Sequence, residues 1–127
     1  MKDLLEAVHL YFEGIHECDV SKLKEVFHPE SSLFDADNGN IFVETIDSFL
    51  EDVSMRTSQA SVGQIMKSEV LMIDYLSPMS TSVKIRIQTH KNVFVDHLAF
   101  LNSSVFVFYS FSSFSKCQTF ETIFQPF

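Results

Sequence analysis

Apolar residues recur at helical spacing in the first part of the chain, and the longest such run predicts a helix near its start. At about 100° per residue, Leu4, Val8, Tyr11, Phe12 and Ile15 fall within one broad arc. The opposite arc carries the polar side chains of Glu6, His9, Glu13, His16 and Glu17. This pattern indicates a helix with one face in the core and the other in solvent. Tyr11 lies at the side of the buried arc, so its hydroxyl needs a partner in the interior.

A second, short helix is predicted after Asp19, because its carboxylate can accept hydrogen bonds from the free amides at a helix start. The apolar stripe of this helix consists of Leu23, Val26 and Phe27. Pro29 is expected to end it, since the residue before a proline, here His28, is pushed away from helical geometry. The chain should then continue as an extended run over residues 32–35.

A third helix is predicted from Thr45, another residue suited to capping a helix start. Its apolar residues repeat at i, i+3, i+4 and i+7 as Ile46, Phe49, Leu50 and Val53. We expect a turn over residues 37–40 and a short extended stretch over residues 41–43 before it. The helix should end near Arg56, and residues 57–63 should form a polar loop.

From residue 64 onward the pattern changes to a period of two, which is typical of strands. The alternation is weak over residues 65–74 and strict where Val83, Ile85 and Ile87 alternate with polar residues, as in a strand that is wet on one face. The following strand, from Val93 to Leu101, places one set of side chains on a single face. That set is Phe94, Asp96, Leu98 and Phe100, and the other face carries Val95, His97 and Ala99. Turns at residues 91–92 and 102–104 should flank this strand, and the last strand should run over residues 105–111.

The order helix, short helix, strand, helix and then antiparallel strands is typical of an α+β fold with its helices on one face of the sheet. We therefore expect a single domain over residues 1–127. Its sheet should be a cone-shaped, curved antiparallel sheet wrapped around the long N-terminal helix, with two further helices. The apolar cavity inside such a cone is the expected ligand site. The tail FSSFSKCQTFETIFQPF should finish the last strand and then dock on the body or on a partner chain.

Composition narrows the range of partners. A hydrophobic fraction of 46% and 14 phenylalanines in 127 residues indicate a globular protein with a large aromatic core. The net charge of −8 disfavours binding to nucleic acid, which depends on clustered Lys and Arg, and binding to an anionic membrane surface. No apolar run reaches the ~18 residues of a spanning helix. The first residues carry acids where a secretory signal needs an apolar core, so a cytoplasmic protein is expected.

Among the polar residues, Asp96 has the pattern that most favours a role in the pocket. It lies between Phe94 and Leu98 on an apolar strand face. An unpaired carboxylate is costly in such a place, and its pKa tends to rise. We therefore regard Asp96 as a candidate polar group of the pocket.

Neither a metal nor a cofactor is predicted. His9, Glu13 and His16 share a helix face at metal-compatible spacing, but no fourth ligand is evident, so a solvated surface is favoured. Cys18 and Cys117 show no metal or redox spacing and are interpreted as reduced thiols. The sequence contains no glycine-rich phosphate loop and no recognisable nucleophile motif.

The order of several short motifs resembles the nuclear transport factor 2-like superfamily, and within it the lumazine-binding-like and polyketide-cyclase-like groups. The motifs are Tyr11-Phe12-x-Gly14, Asp19-x-x-x-Leu23-x-x-x-Phe27-His28-Pro29 and Leu33-Phe34. Residues 95–100 are similar to the next-to-last strand of these proteins, and the resemblance covers residues 2–101. It implies a hydrophobic small-molecule ligand and a homodimer formed through the outer face of the sheet. The apolar character of residues 93–114 also favours a homodimer.

Ketosteroid isomerase, a member of that superfamily, uses a tyrosine, an aspartate base and a protonated aspartate at positions similar to Tyr11, Asp35 and Asp96. The resemblance implies isomerisation, dehydration or cyclisation of a hydrophobic carbonyl compound through an enolate. Asp35 would take the proton, and Tyr11 and a protonated Asp96 would donate hydrogen bonds to the oxyanion. Asp35 is followed here by Ala36, where the isomerase has proline. The expected ligand-binding residues are Phe12, Phe27, His28, Phe34, Phe94, Leu98 and Phe100.

Each of these residues also has a purely structural interpretation. Tyr11 can be a core tyrosine with a satisfied hydroxyl, and Asp35 can be a turn residue. His28 can cap a helix end or lie at the pocket rim. Two classes of function therefore stay open, namely a small-molecule enzyme and a non-catalytic ligand-binding or dimerisation module of the same shape.

Overall fold

The computed structural model describes residues 3–37, 40–89, 92–102 and 104–113. Its helices are α1 (Leu4–Glu17), α2 (Val20–Val26) and α3 (Ile46–Ser54). Its strands are β1 (Phe27–Asp37), β2 (Asn40–Thr45), β3 (Lys67–Ser77), β4 (Ser80–Gln88), β5 (Val93–Leu101) and β6 (Ser104–Ser113). None of these described helices has the length and apolar composition needed to cross a bilayer.

Side-chain caps fix where the helices begin. The Asp3 carboxylate accepts from the amide of Glu6 at 2.9 Å and starts α1. Asp19 and Thr45 cap α2 and α3 in the same way, which confirms both N-caps expected from the sequence. Helix α1 ends at Cys18, whose φ of 52° lies in the left-handed region that often terminates helices.

The second helix ends earlier than its pattern predicts. Phe27 already has extended geometry, with φ −89° and ψ 135°, and β1 starts there, so Pro29 lies inside a strand and does not terminate a helix. The pairing of β1 with β6 shifts register between Phe27 and Ser32. A proline is tolerated at such an irregularity, because its missing N–H is not needed by the ladder.

The sheet has six strands in the order β2-β1-β6-β5-β4-β3. All neighbouring pairs are antiparallel except β1 and β6, which run parallel. The expected α+β cone is therefore confirmed, and its sheet is antiparallel, as expected, at every pair except β1 and β6. The parallel pair arises because the last strand returns beside the first, and the alternation of residues within each strand does not encode that return.

Helix α1 packs on the inner face of the sheet and supplies much of the core. Its buried residues include Val8, Tyr11 and Phe12, as the helical arc predicted, and also Ala7, which the arc did not include. On β4, Val83, Ile85 and Ile87 point inward and are buried. The largest fully buried side chains of the core include Tyr11, Leu23, Val53, Ile85, Leu98 and Phe100.

Strand β5 places its residues on the two faces that the sequence pattern assigns to them. Asp96, Leu98 and Phe100 are buried, whereas His97 is exposed. Of the other sequence predictions, residues 38–39, 91 and 103 in the expected turns and residues 114–127 in the tail lie outside the described residues.

Gly14 allows α1 and α2 to approach closely. A Cβ placed on Gly14 would lie 2.6 Å from Cδ2 and 2.8 Å from Cγ of Leu23, which is fully buried. On the solvent side, the Lys22 ammonium donates to Glu13 at 2.8 Å and to Glu17 at 3.0 Å, so the two helices are also linked by charge. The close approach at Gly14 requires a residue without a side chain.

Replacing Gly14 with Ala should destabilise the protein by about 1–3 kcal/mol, the typical cost of overpacking a core. The same change should cost less than about 0.5 kcal/mol when Leu23 is already Ala, because the clash is removed and Ala favours the helix over Gly. Chemical denaturation of the two single variants and the double variant measures this coupling. Additive costs would contradict a direct clash between the two positions.

Candidate functional site

A cavity of about 160 Å³ lies between α1, α3 and the inner face of the sheet. Its walls are mostly apolar and include Ile15, Leu33, Phe34, Ile87, Phe94 and Phe108. Its polar side chains come from α1, β1, β2, β5 and the residues just after α3. They are Tyr11, Asp35, Glu44, Arg56 and Asp96.

Tyr11 and Asp96 meet in the interior of this cavity. The Tyr11 hydroxyl donates to Oδ2 of Asp96 at 2.7 Å, although the two residues are 85 positions apart in the chain. Tyr11 is 1% exposed and Asp96 is 4% exposed. The short distance and low exposure make this a strong, desolvated hydrogen bond.

Aromatic rings hold Tyr11 in place. The ring centroids of Phe27 and Phe108 lie 5.8 Å and 6.0 Å from that of Tyr11, with interplanar angles of 65° and 66°. Phe12 contacts the ring at 6.3 Å. Edge-to-face packing of this kind is favourable and leaves the ring little freedom. The hydroxyl is therefore presented in one fixed direction.

The environment keeps the Tyr11 phenol neutral. Burial raises the pKa of Tyr11 well above its usual value, and the charge of Asp96 and the hydrogen bond to it raise the pKa further. The charge of Arg56 lowers the pKa of Tyr11, and this effect is the smallest of the four. A tyrosine in this state keeps its hydrogen at physiological pH and serves as a donor.

Asp35 lies at the exposed rim of the same cavity. Its Oδ1 accepts from the amide of Ala36 at 2.7 Å. In the ladder it faces Phe42 of β2, which also lines the cavity. Asp35 therefore combines a local turn-like hydrogen bond with a position at the cavity mouth.

Two of the aromatic residues expected to bind ligand, Phe34 and Phe94, line the cavity. Phe27, Leu98 and Phe100 are buried in the core and do not line it, because α1 and the neighbouring strands cover them. Phe12 lies on α1 against Tyr11 and is likewise outside the cavity lining.

His28 lies away from the cavity. Its ring stacks on Phe106 with centroids 4.1 Å apart, and its Nδ1 accepts from the amide of Glu30 at 3.1 Å. These two contacts favour the structural interpretation of His28, near the start of β1.

Sequence reasoning did not identify Arg56 and Glu44 as cavity residues. Arg56 follows the end of α3, and its guanidinium carbon lies 5.7 Å from the centroid of the Phe49 ring. The available signal was a lone arginine one turn beyond an apolar helix stripe, which is also common on surfaces. The sequence did not indicate Glu44 as a cavity residue, because strand β2 is short and most side chains of that strand are exposed.

No group of three or more His, Cys, Asp and Glu side chains in the described part of the chain is arranged to hold a metal ion. His9 and Glu13 lie on the solvent side of α1, and His97 points away from Asp96 across the sheet. Cys117 lies outside the described residues, and Cys18 is a free thiol. The chemistry that the site offers is thus a fixed phenol donor, a buried carboxyl group and a carboxylate at the rim.

Comparison with known structures gives the same fold. A nuclear transport factor 2-like protein from Shewanella baltica OS155 aligns with a TM-score of 0.77 at 16% identity, covering 88% of this chain and 92% of that one. A similar protein from Silicibacter pomeroyi DSS-3 aligns with a TM-score of 0.70 at 13% identity, covering 87% and 92% of the two chains. A ketosteroid isomerase-like protein from Erwinia carotovora atroseptica SCRI1043 aligns with a TM-score of 0.65 at 10% identity, covering 86% and 92%.

Comparison with protein families identifies the family of the chain, whereas the structural comparison gives only its fold. No curated protein matches the chain. A family profile described as "Putative lumazine-binding" matches residues 1–104, which include both members of the Tyr11–Asp96 pair and the rim residues Asp35, Glu44 and Arg56. The match spans most of the 127 residues. The chain therefore belongs to this lumazine-binding-like family, and it has the fold of nuclear transport factor 2-like proteins.

Proposed function

We propose that the protein binds a small apolar carbonyl compound in the aromatic cavity, with the carbonyl oxygen at Tyr11. The observation that carries this proposal is the Tyr11–Asp96 pair, which is buried and still lines the cavity. Ligand sites commonly combine apolar walls with a few fixed polar groups. The family description, which names lumazine binding, accords with a small-molecule ligand.

The size of the cavity supports a ligand of about one ring. Its volume is about 160 Å³, close to the ~150 Å³ of an engineered apolar cavity that binds benzene. The rings of Phe34, Phe94 and Phe108 line it. A flat apolar group fits this chemistry better than a sugar or a nucleotide, because the walls offer few hydrogen-bonding partners.

The proposal requires Asp96 to be neutral when the ligand is bound. A neutral Asp96 can donate its hydrogen to the Tyr11 oxygen, which frees the Tyr11 hydrogen for the ligand carbonyl. The 2.7 Å separation of the two oxygens suits donation in either direction. The resulting chain of two hydrogen bonds would end on the ligand oxygen, where each bond strengthens the other.

A second candidate function is proton abstraction, supported by Asp35 at the mouth of the same cavity. Asp35 would take a proton from the carbon next to the carbonyl group. The C–H electron pair would then form the enolate, whose oxygen Tyr11 would stabilise. Return of the proton to another carbon would complete an isomerisation, and loss of a leaving group or ring closure would give a dehydratase or a cyclase.

A non-catalytic binding module has support of its own. Asp35 is exposed and already accepts a hydrogen bond from Ala36. Water at an exposed carboxylate weakens it as a base towards a carbon acid. The exchange experiment below separates these two functions.

We further propose a homodimer formed through the outer face of the sheet. That face combines Val95 and Ala99 with the charged residues Lys84, Arg86 and Glu69, which pair across β3, β4 and β5. Mixed polar and apolar composition is usual for non-obligate interfaces.

The cytoplasmic location expected from the sequence stays a prediction.

Acetophenone should bind about fivefold to tenfold more tightly than ethylbenzene, which has the same carbon skeleton but lacks the oxygen; this is the net contribution of one hydrogen bond. The preference should disappear in Tyr11→Phe. It should persist in Asp96→Asn, which mimics the neutral acid. Isothermal titration measures the affinities, and Tyr75→Phe, which alters a 64% exposed tyrosine, is the matched control. Equal affinity for both probes would contradict the proposed role of Tyr11.

If the site abstracts protons, the protein should accelerate hydrogen–deuterium exchange at the methyl group of acetophenone in D₂O, followed by NMR. Asp35→Asn should lower this rate about 10²–10⁴-fold, and Tyr11→Phe should lower it about 10²–10³-fold. Asp52→Asn removes an exposed carboxylate that does not line the cavity and should leave the rate unchanged. Binding of acetophenone without accelerated exchange would identify a binding module.

The homodimer predicts a sedimenting mass of twice 14.6 kDa at micromolar concentration. Ala99→Arg should shift the protein to a monomer, because Ala99 lies in the middle of the outer face and a long charged side chain would hold the copies apart. Ala60→Arg, in the exposed loop after α3, is the matched control and should remain dimeric. A monomeric wild-type protein would refute the proposal.

A further inference from the structure

A second cleft adjoins the aromatic cavity. It has a volume of about 250 Å³ and shares Ile15, Arg56 and Phe94 with the cavity, so these residues form the boundary between the two spaces. The remaining residues of the cleft are small or polar and include Cys18, Thr57, Gln59, Thr89 and Asn92. The cavity and the cleft are thus neighbouring spaces with different chemistry.

The charges of the two parts differ. The carboxylates of Asp35 and Glu44 line the aromatic cavity, together with Arg56 at its boundary with the cleft. Among the described residues that line the cleft, Arg56 is the one charged side chain, and no carboxylate is present. A negatively charged group would be repelled from the cavity and attracted to the cleft. This difference orients any ligand that carries an anionic group.

Arg56 is positioned at the boundary by the end of α3. Its amide donates to the carbonyl of Val53 at 3.1 Å, and its guanidinium lies over the ring of Phe49, at a distance typical of cation–π contacts. No carboxylate of the described residues lies within 4.0 Å of its guanidinium, whereas Lys22 and Arg86 are both paired. Arg56 therefore keeps its hydrogen-bond donors for a ligand.

The charge of Arg56 affects ionisable groups in both the aromatic cavity and the cleft. It lowers the pKa of Tyr11 in the cavity and that of Cys18 in the cleft, in each case against the larger opposing effect of burial. The Arg56 guanidinium thus acts on one group in the cavity and on one group in the cleft. That is the position expected of a group that holds one end of a ligand while the other end lies in the cavity.

We propose that the ligand has two parts: an apolar carbonyl-bearing ring in the aromatic cavity and a carboxylate in the outer cleft, held by Arg56. This inference rests on the proposed binding function and adds its substrate class, an aromatic or alicyclic oxo acid. The planar guanidinium matches a carboxylate with two parallel hydrogen bonds. With the cleft included, the site reaches the ~300–1,000 Å³ that ordinary ligand pockets occupy.

The test compares acetophenone with two extended probes, 3-(4-acetylphenyl)propanoate and its uncharged amide, 3-(4-acetylphenyl)propanamide. The acid should bind about fivefold more tightly than the amide, the upper range for a partly exposed charge pair, and added salt should reduce the difference. Arg56→Gln should abolish this preference, so that the acid and the amide bind with equal affinity. Lys24→Gln removes one positive charge from an exposed part of α2 and should leave the preference intact.

The possible outcomes separate this inference from the function on which it rests. Equal binding of acid and amide, or a preference that survives Arg56→Gln, would overturn the role of Arg56. Binding of acetophenone would then still support the cavity as a ligand site. Failure of all three probes to bind would overturn both proposals. Thermal unfolding of Arg56→Gln, an exposed position, verifies that a lost preference is not a lost fold.

Discussion

The hydrogen bond between Tyr11 and Asp96 is the constraint on which the site depends. It joins the first helix to β5 across 85 positions of the chain, in a place where both partners are almost completely buried. Leaving either group buried without its partner would cost about 1–3 kcal/mol. Helix α1 must therefore lie across the sheet in the one position that satisfies both groups. The aromatic packing of Phe27 and Phe108 around Tyr11 then fixes that position further.

The cavity follows from this arrangement. The inner face of the sheet is apolar around Asp96, and α1 and α3 close it only in part, so a space remains beside the hydrogen-bonded pair. Its walls are rings, and its polar atoms belong to a few fixed groups. Charges lie at its edges, acidic at Asp35 and Glu44 and basic at Arg56. A depression with a polar centre, apolar walls and oppositely charged edges can orient a ligand as well as hold it.

Much of the local structure could be predicted because it depends on neighbouring residues. The caps Asp19 and Thr45 were identifiable since capping joins a side chain to an amide three positions ahead. The burial of Asp96 could be predicted because it shares a strand face with Leu98 and Phe100. The end of α2 was placed too late, because Pro29 suits the irregular start of a strand as well as it suits the residue after a helix.

The sequence by itself determined the three helices and the inward faces of β4 and β5, since these follow from periods of 3.6 and 2. It also indicated Tyr11, Asp35 and Asp96 as candidate polar residues of the site. Only the tertiary structure decided that β6 lies parallel to β1 and that Phe100 is covered while Phe94 lines the cavity. It also decided that Arg56, an ordinary arginine after a helix, faces two pockets. These features depend on distances between segments far apart in the chain, and a repeating pattern within one segment carries no record of which other segment will lie beside it.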